Sequence, residues 1–245
     1  MLTRAAALIA ALALTSCVEN DAPAHGEASD LDPVDWTSST GKADFSGLPA
    51  VFDRNTIMSD GVFTATGAVD GDAVQEFLEN SPYGRSWLAG YRLEGGRFAD
   101  GVVKIASDRG IDPVVLLARM QVESSLVSAL SQPSSTHINF ALGCGCPDAS
   151  RCSSEFRGLA NQLRCGADVL ATQLAASQDG SGGWVKGRSR TTSDPLRVTP
   201  STHATAALYA YTPWVLVGRG GNWLVWNVTR RFLKHFDEAG TLHLP

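Results

Sequence analysis

The stretch "DPVVLLARMQVESSLVSAL", Asp112–Leu130, decides the fold. Asp112 is a residue type that caps helix N-termini, and Pro113 fits the first helical position, where its missing N–H is no loss. At about 100° per residue, Val114, Val115, Leu116, Leu117, Met120, Val122 and Leu126 scatter around most of the helix circumference. A helix that is apolar all round is a buried one. One carboxylate interrupts it near its end, Glu123, which falls beside Leu116, Arg119 and Met120 on the wheel. Two readings of Glu123 follow. In apolar surroundings a carboxylate loses hydration and favours its neutral form, the state a general acid needs. Alternatively, Glu123 pairs with Arg119 one turn back. Ser124 and Ser125, just after it, are able to bond nearby carbonyls and end the helix.

Working outward, further helices are predicted on both sides. One begins at Asp70 or Asp72 and ends before Pro82, with Val74, Phe77 and Leu78 on one face. A possible short strand precedes it within "NTIMSDGVFTATG". A second runs roughly from Phe98 to Arg109, with Gly110 placed as its C′ glycine. Downstream, "LANQLRCGADVLATQLAAS", "STHATAALYAYTP" and "NWLVWNVTRRFLKHF" read as helices, the middle one stopped by Pro213. The intervening "SQDGSGGWVKGRSRTTSDPLRVTP" reads as a loop or irregular hairpin. The expected fold is mainly α: a compact helical domain of about 200 residues with little or no sheet, ample for one core.

The N-terminal "MLTRAAALIAALALTSC" has a basic Arg4, an apolar run from Ala5 to Leu14 and small residues before a break, which are the parts of a secretory signal. The run is too short to span a bilayer. "LTSC", Leu14–Cys17, resembles the lipobox of bacterial lipoproteins, which implies a diacylated Cys17 as the new N-terminus. Val18, in place of an Asp, implies outer-membrane sorting in a Gram-negative host. A plain secreted protein with an incidental Cys17 is the other reading. The expected organisation is a signal peptide at 1–16, a flexible acidic tether at 17–45 and one folded body at 46–245. The localisation that follows is the cell envelope, tethered by lipid, or the exterior. Between Val18 and Phe45 seven acidic residues face the single Lys42, whereas the body from Ser46 carries 18 acidic and 18 basic residues. No strongly basic face of the kind that binds nucleic acid is present in this pattern.

Without Cys17, four cysteines remain, Cys144, Cys146, Cys152 and Cys165, an even number in an oxidising compartment. Two disulfides are predicted. Cys144 and Cys146 are poorly placed to join each other, so two connectivities stay open, each tying the "GCGCPDASRC" loop to itself and to the helix bearing Cys165. A zinc site is the weaker alternative, because Cys-x-Cys is tighter than structural zinc spacing. No metal and no cofactor is expected.

Five segments, "GIDPVVLLARMQVESSLVS", "FALGCGCPD", "FRGLANQLRCGADVL", "ATAALYAYTP" and "GNWLVWNVTRRF", taken in this order, resemble the lysozyme superfamily, in particular its peptidoglycan-cleaving glucosaminidase and lytic-transglycosylase domains. They span roughly Asp100–Phe236. The resemblance implies an α+β lysozyme-like fold with Glu123 as catalytic acid. It also implies a substrate cleft lined by Tyr209 or Tyr211, with the "NFALGCGCPD" loop covering sugar sites and Ser125, Asn139 and Asp148 among the substrate-binding residues. The implied partner is peptidoglycan or a related acetamido-sugar glycan. Two departures stand out: Asn139–Cys146 occupies the place of the family's Gly-Leu-Met-Gln segment, and the tyrosine segment lacks Asn-Ala-Gly. The product is therefore open between a transglycosylase and a hydrolase acting on peptidoglycan or chitin-like polymers. So is a wall-binding domain without chemistry.

A hydrolase of either stereochemistry needs a second carboxylate about 5 to 9 Å away. Asp148, Glu155 and Asp168 are available, though none stands in a context that demands catalysis and Asp148 reads first as a turn or helix-cap residue. A transglycosylase needs only one carboxylate, acting as acid and then as base. Ser201, His203 and Asp194 suggest a hydrolase triad, but no nucleophile elbow surrounds any serine. Lys186, Arg188 and Arg190 fit peptide-stem carboxylates or a solvated loop. Trp184, Trp214, Trp223 and Trp226 fit sugar stacking or core packing.

Overall fold

A computed structural model describes residues 47–146 and 152–244. The signal peptide, Cys17, the tether, Ser46 and Asp148 lie outside the described residues. The elements follow from capping and burial. Helix α1 is Asp60–Phe63 and α2 Gly71–Glu79, each started by an oxygen-bearing cap, Ser59 onto the Val62 N–H and Asp70 onto the Ala73 N–H. The strand considered near residue 60 is therefore a helical turn. A 3-10 turn at Trp87–Gly90 leads into the hairpin β1 (Arg92–Leu93) and β2 (Gly96–Arg97). Helix α3 then covers Phe98–Ser107, and Gly110 follows at φ 68°. Helix α4 covers Pro113–Ser124, α5 Ser135–Asn139, α6 Leu159–Asp179, α7 His203–Tyr211 and α8 Gly221–Glu238. Strands β3 (Arg190–Thr191) and β4 (Arg197–Val198) form the second antiparallel hairpin. The fold is mainly α, with two small two-stranded sheets.

The apolar wheel of α4 predicts its position, since every residue from Pro113 to Gln121 is buried. It packs against α8, α3 and α6, while α6 also packs along α7 and α2 along α3. The core is continuous across these helices, from Phe63, Phe77 and Phe98 through Leu116 and Leu117 to Phe232 and Phe236. Burying each such side chain contributes about 1.5–3 kcal/mol.

The two disulfides join Cys144 to Cys165 and Cys146 to Cys152, one of the two pairings left open by the sequence. The first fastens the loop after α5 to the middle of α6. Gly166, next to Cys165, makes this approach possible: a Cβ there would lie 2.4 Å from a methyl of Leu142. Among the described residues no helix is long and apolar enough to cross a membrane.

Candidate functional site

Helix α4 ends at Ser125, which adopts a left-handed conformation (φ 53°, ψ 24°) and donates its N–H to the Gln121 carbonyl. The Gln121 side chain then accepts from the Ser128 N–H (2.9 Å) and donates to the Ser128 hydroxyl (3.0 Å), which fixes the turn out of the helix. Glu123 stands two residues before Ser125, with its side chain 29% exposed. It emerges at the surface from a helix otherwise sunk in the core.

Its nearest partner is charged. Nη2 of Arg119 donates to Oε1 of Glu123 and to the Thr212 hydroxyl at 2.8 Å. The guanidinium is fully buried and lies over the Tyr211 ring, 4.2 Å from its centroid, a cation–π contact strengthened by desolvation. The apolar surroundings expected for Glu123 are thus replaced by an ion pair, the other reading of the sequence. The reason is that α7 delivers Tyr211 and Thr212 onto Arg119 and holds the arginine inside, so its charge needs the carboxylate. Glu123 Oε2 makes no hydrogen bond with a described residue. It faces the loop after α5, where a Cβ placed on Gly143 would sit 3.9 Å from it.

That loop is positioned by two further contacts. The Tyr211 hydroxyl donates to the Leu142 carbonyl at 2.8 Å. Burial pushes this hydroxyl up to about 12, against the opposing pull of the Arg119 charge and with the Glu123 carboxylate adding to the rise. From α6, the fully buried Gln162 accepts from the N–H groups of Leu142 (3.1 Å) and Cys144 (3.0 Å). Its amide donates to the carbonyls of Cys144 (2.9 Å) and Phe156 (2.7 Å). All of its bonding capacity is spent on the loop backbone. The end of α4, the end of α7 and the disulfide loop therefore meet around Glu123.

The other expected residues are distributed as follows. Tyr211 joins the cluster, whereas Tyr209 is fully buried, stacks on Trp184 and donates its hydroxyl to the Arg54 carbonyl (2.9 Å). Ser125 contributes the helix-ending backbone turn. Asn139 closes α5 and accepts the Gly158 N–H on its carbonyl (3.0 Å), leaving its side-chain amide without a bond to a described residue. Asp168 pairs with Arg109, and Glu155 lies in the 3-10 turn at Ser154–Phe156. Ser201, His203 and Asp194 form no triad: Ser201 bonds Thr56, His203 bonds the buried Ser177, and Asp194 caps the N–H groups of Val215 and Leu216. Trp184 and Trp226 are core residues, and Trp214 remains 41% exposed. Thr212 and Gln162 are the residues that sequence reasoning passed over. Gln162 alone left a trace, as a polar residue on the apolar stripe of α6.

Among the described residues no group of metal-ligating side chains comes together. No family model, no curated protein and no solved structure matches the chain.

Proposed function

We propose that this protein cleaves the glycan strands of peptidoglycan between N-acetylated amino sugars, with Glu123 as the single acid and base. The observation that carries this reading is the meeting of three distant segments, α4, the disulfide loop and α7, at a carboxylate whose Oε2 makes no hydrogen bond with a described residue. These are segments that the lysozyme-superfamily resemblance places around its catalytic acid. In the proposed reaction Glu123 protonates the glycosidic oxygen as the bond to the anomeric carbon breaks, with the neighbouring acetamido group assisting. The resulting carboxylate then takes the proton of the sugar's own C6 hydroxyl as that oxygen attacks the anomeric carbon, giving an anhydro end without water. Of the other candidate carboxylates, Asp168 is already committed to Arg109, and the one-carboxylate route requires none of them. A lipid anchor at Cys17, on the envelope-facing side of the outer membrane, would hold such an enzyme beside its insoluble substrate.

One observation favours a second reading. A carboxylate that neutralises a fully buried arginine has a structural task already, and a wall-binding lipoprotein without chemistry would keep it. Digestion of purified peptidoglycan by the full chain and by Glu123→Gln, followed by mass analysis, separates the readings. Anhydro ends, one water lighter than reducing ends, support the transglycosylase, and reducing ends a glucosaminidase-type hydrolase. No release by a protein that still sediments with cell walls supports the binding domain.

A further inference from the structure

The body of the chain has balanced charge, yet its cations are unevenly paired. Arg97, Arg109, Arg119, Arg164, Lys104 and Lys234 all meet carboxylates. Lys186, Arg188, Arg190 and Arg197, on and around the β3–β4 hairpin, make no ion pair with any described residue; nor do Arg54, Arg85, Arg92, Arg157 and Arg219, but the hairpin four fall within one stretch of twelve residues. The one acid of this segment, Asp194, is turned away. It is drawn into the N–H groups of Val215 (3.1 Å) and Leu216 (2.9 Å). Burial pushes its carboxyl up, but these donors and the Thr192 hydroxyl outweigh that and hold it below the ordinary carboxylate range.

The hairpin carries an open, shallow depression of about 180 Å³ lined by the exposed residues Ser189, Arg190, Thr191 and Arg197. Cross-strand pairing sets Thr191 opposite Arg197, and Ser189 is bonded to Thr199 at 2.6 Å. Arg190 is held in place by the Gly183 carbonyl and by the Trp184 ring, 5.5 Å from its guanidinium. Arg197 makes no side-chain bond to a described residue. The hairpin is docked on the connection that leaves α7, through Ser193 N–H onto the Pro213 carbonyl (2.8 Å) and through Asp194. That connection begins at Thr212, the hydroxyl partner of Arg119, and carries the exposed Trp214.

We infer that the β3–β4 hairpin is a carboxylate-binding subsite, which makes the substrate an acid-bearing wall glycan and not a neutral acetamido-sugar polymer. The inference rests on the glycan-cleaving reading and specifies its substrate. Two guanidinium groups, which only donate, lie beside two hydroxyls, which are able to donate as well as accept, and paired guanidinium donors match the two oxygens of a carboxylate. A chitin-like chain presents no group that uses them. In peptidoglycan the carboxylate comes either from the peptide stem or, once the stem is removed, from the acid group on the sugar.

The test measures retention of the full chain, carrying Glu123→Gln so that nothing is cleaved, on three polymers. These are peptidoglycan freed of phosphate-bearing polymers, the same material stripped of stems by an amidase, and chitin. The expected result is about tenfold tighter retention on intact peptidoglycan than on chitin, with that advantage lost in Arg190→Gln/Arg197→Gln and weakened by salt. Retention kept on stripped strands assigns the sugar's acid group, and retention lost there assigns the stem; both uphold the subsite. Arg197→Gln alone, at an exposed side chain with no bond to a described residue, is expected to lose about half of the advantage on a logarithmic scale with an unchanged urea midpoint. Equal retention on chitin and peptidoglycan, or no effect of either variant, overturns the inference. So does a hairpin-dependent association of the Cys17→Ala chain with anionic phospholipid vesicles while wall retention is unaffected, which would assign the hairpin to lipid. Cleavage by the wild-type chain is scored separately: inactivity with hairpin-dependent retention removes the catalytic role and leaves the subsite.

Discussion

Asp112→Asn is expected to remove a pH dependence built into the start of the helix that carries Glu123. Asp112 is fully buried, its Oδ1 accepts the Val114 N–H at 2.7 Å, and its Oδ2 has no partner. Burial pushes the carboxyl up to about 8, against the backbone N–H groups of Val114 and Val115. In the unfolded chain an aspartate releases its proton near pH 4. Between about pH 4 and 8 the folded protein therefore holds a proton that the unfolded chain has lost. The contribution of this group to stability is fully present below pH 4 and is lost as pH rises through 8. The slope is about 1.4 kcal/mol per pH unit, so by pH 7 the loss from this one group is on the order of 4 kcal/mol. Asparagine keeps an acceptor for Val114 and has no proton to lose. Urea unfolding of both proteins at each unit from pH 4 to 8 isolates the term, because all other titrating groups cancel in the difference. The expected difference shifts steadily in favour of the variant as pH rises. A difference that stays flat over this range refutes the assignment of a buried, protonated Asp112.

Glu123→Ala leaves the Arg119 guanidinium buried without its counter-charge, when its Nε and Nη1 already lack partners. A loss of about 3 kcal/mol is expected, largely recovered in Arg119→Met/Glu123→Ala, and read by chemical denaturation. Gln162→Leu strands the N–H groups of Leu142 and Cys144 and the carbonyls of Cys144 and Phe156. The expected cost is also about 3 kcal/mol, with faster amide hydrogen exchange confined to the disulfide loop. Cys144→Ser/Cys165→Ser opens a crosslink of sequence separation 21 and is expected to lower stability by about 3 kcal/mol, measured against wild type under non-reducing conditions.

Long, strongly patterned elements were legible in the sequence. Asp112 and Pro113 marked the start of α4, its apolar circumference marked its burial, and the stripes of α6 and α8 gave those helices to within a few residues. Short elements were not. Helix α1 is four residues and α5 five, too few for a 3.6-residue period to register, and each depends on one serine cap. Each hairpin strand is two residues long, below the length at which alternation has meaning. At the site, the i, i+4 spacing of Arg119 and Glu123 made their pairing readable. That Arg119 is buried was not readable, because Tyr211 and Thr212, which seal it, lie some ninety positions later in the chain. The pairing of the three loop cysteines with one another and with Cys165 of α6 was likewise undecided until α6 was packed against Leu142.

The burial of Arg119 changes what the presence of Glu123 proves. A guanidinium held inside the fold against Tyr211 requires a carboxylate nearby whatever the protein does, so the residue identity at 123 does not by itself argue for catalysis. The two oxygens divide the roles. Oε1 is taken by Arg119 and belongs to the fold, whereas Oε2 lies near Gly143 with no hydrogen bond to a described residue and is the oxygen with which the proposed chemistry would be done. Glutamine at 123 preserves an acceptor for Arg119 and abolishes proton transfer, which is why Glu123→Gln, and not Glu123→Ala, discriminates between the roles. A folded, wall-retained and inactive Glu123→Gln beside an active wild type assigns the chemistry to Oε2. If Glu123→Gln cleaves glycan as fast as wild type, the carboxylate is only the counter-charge of Arg119, and the acid has to be sought elsewhere.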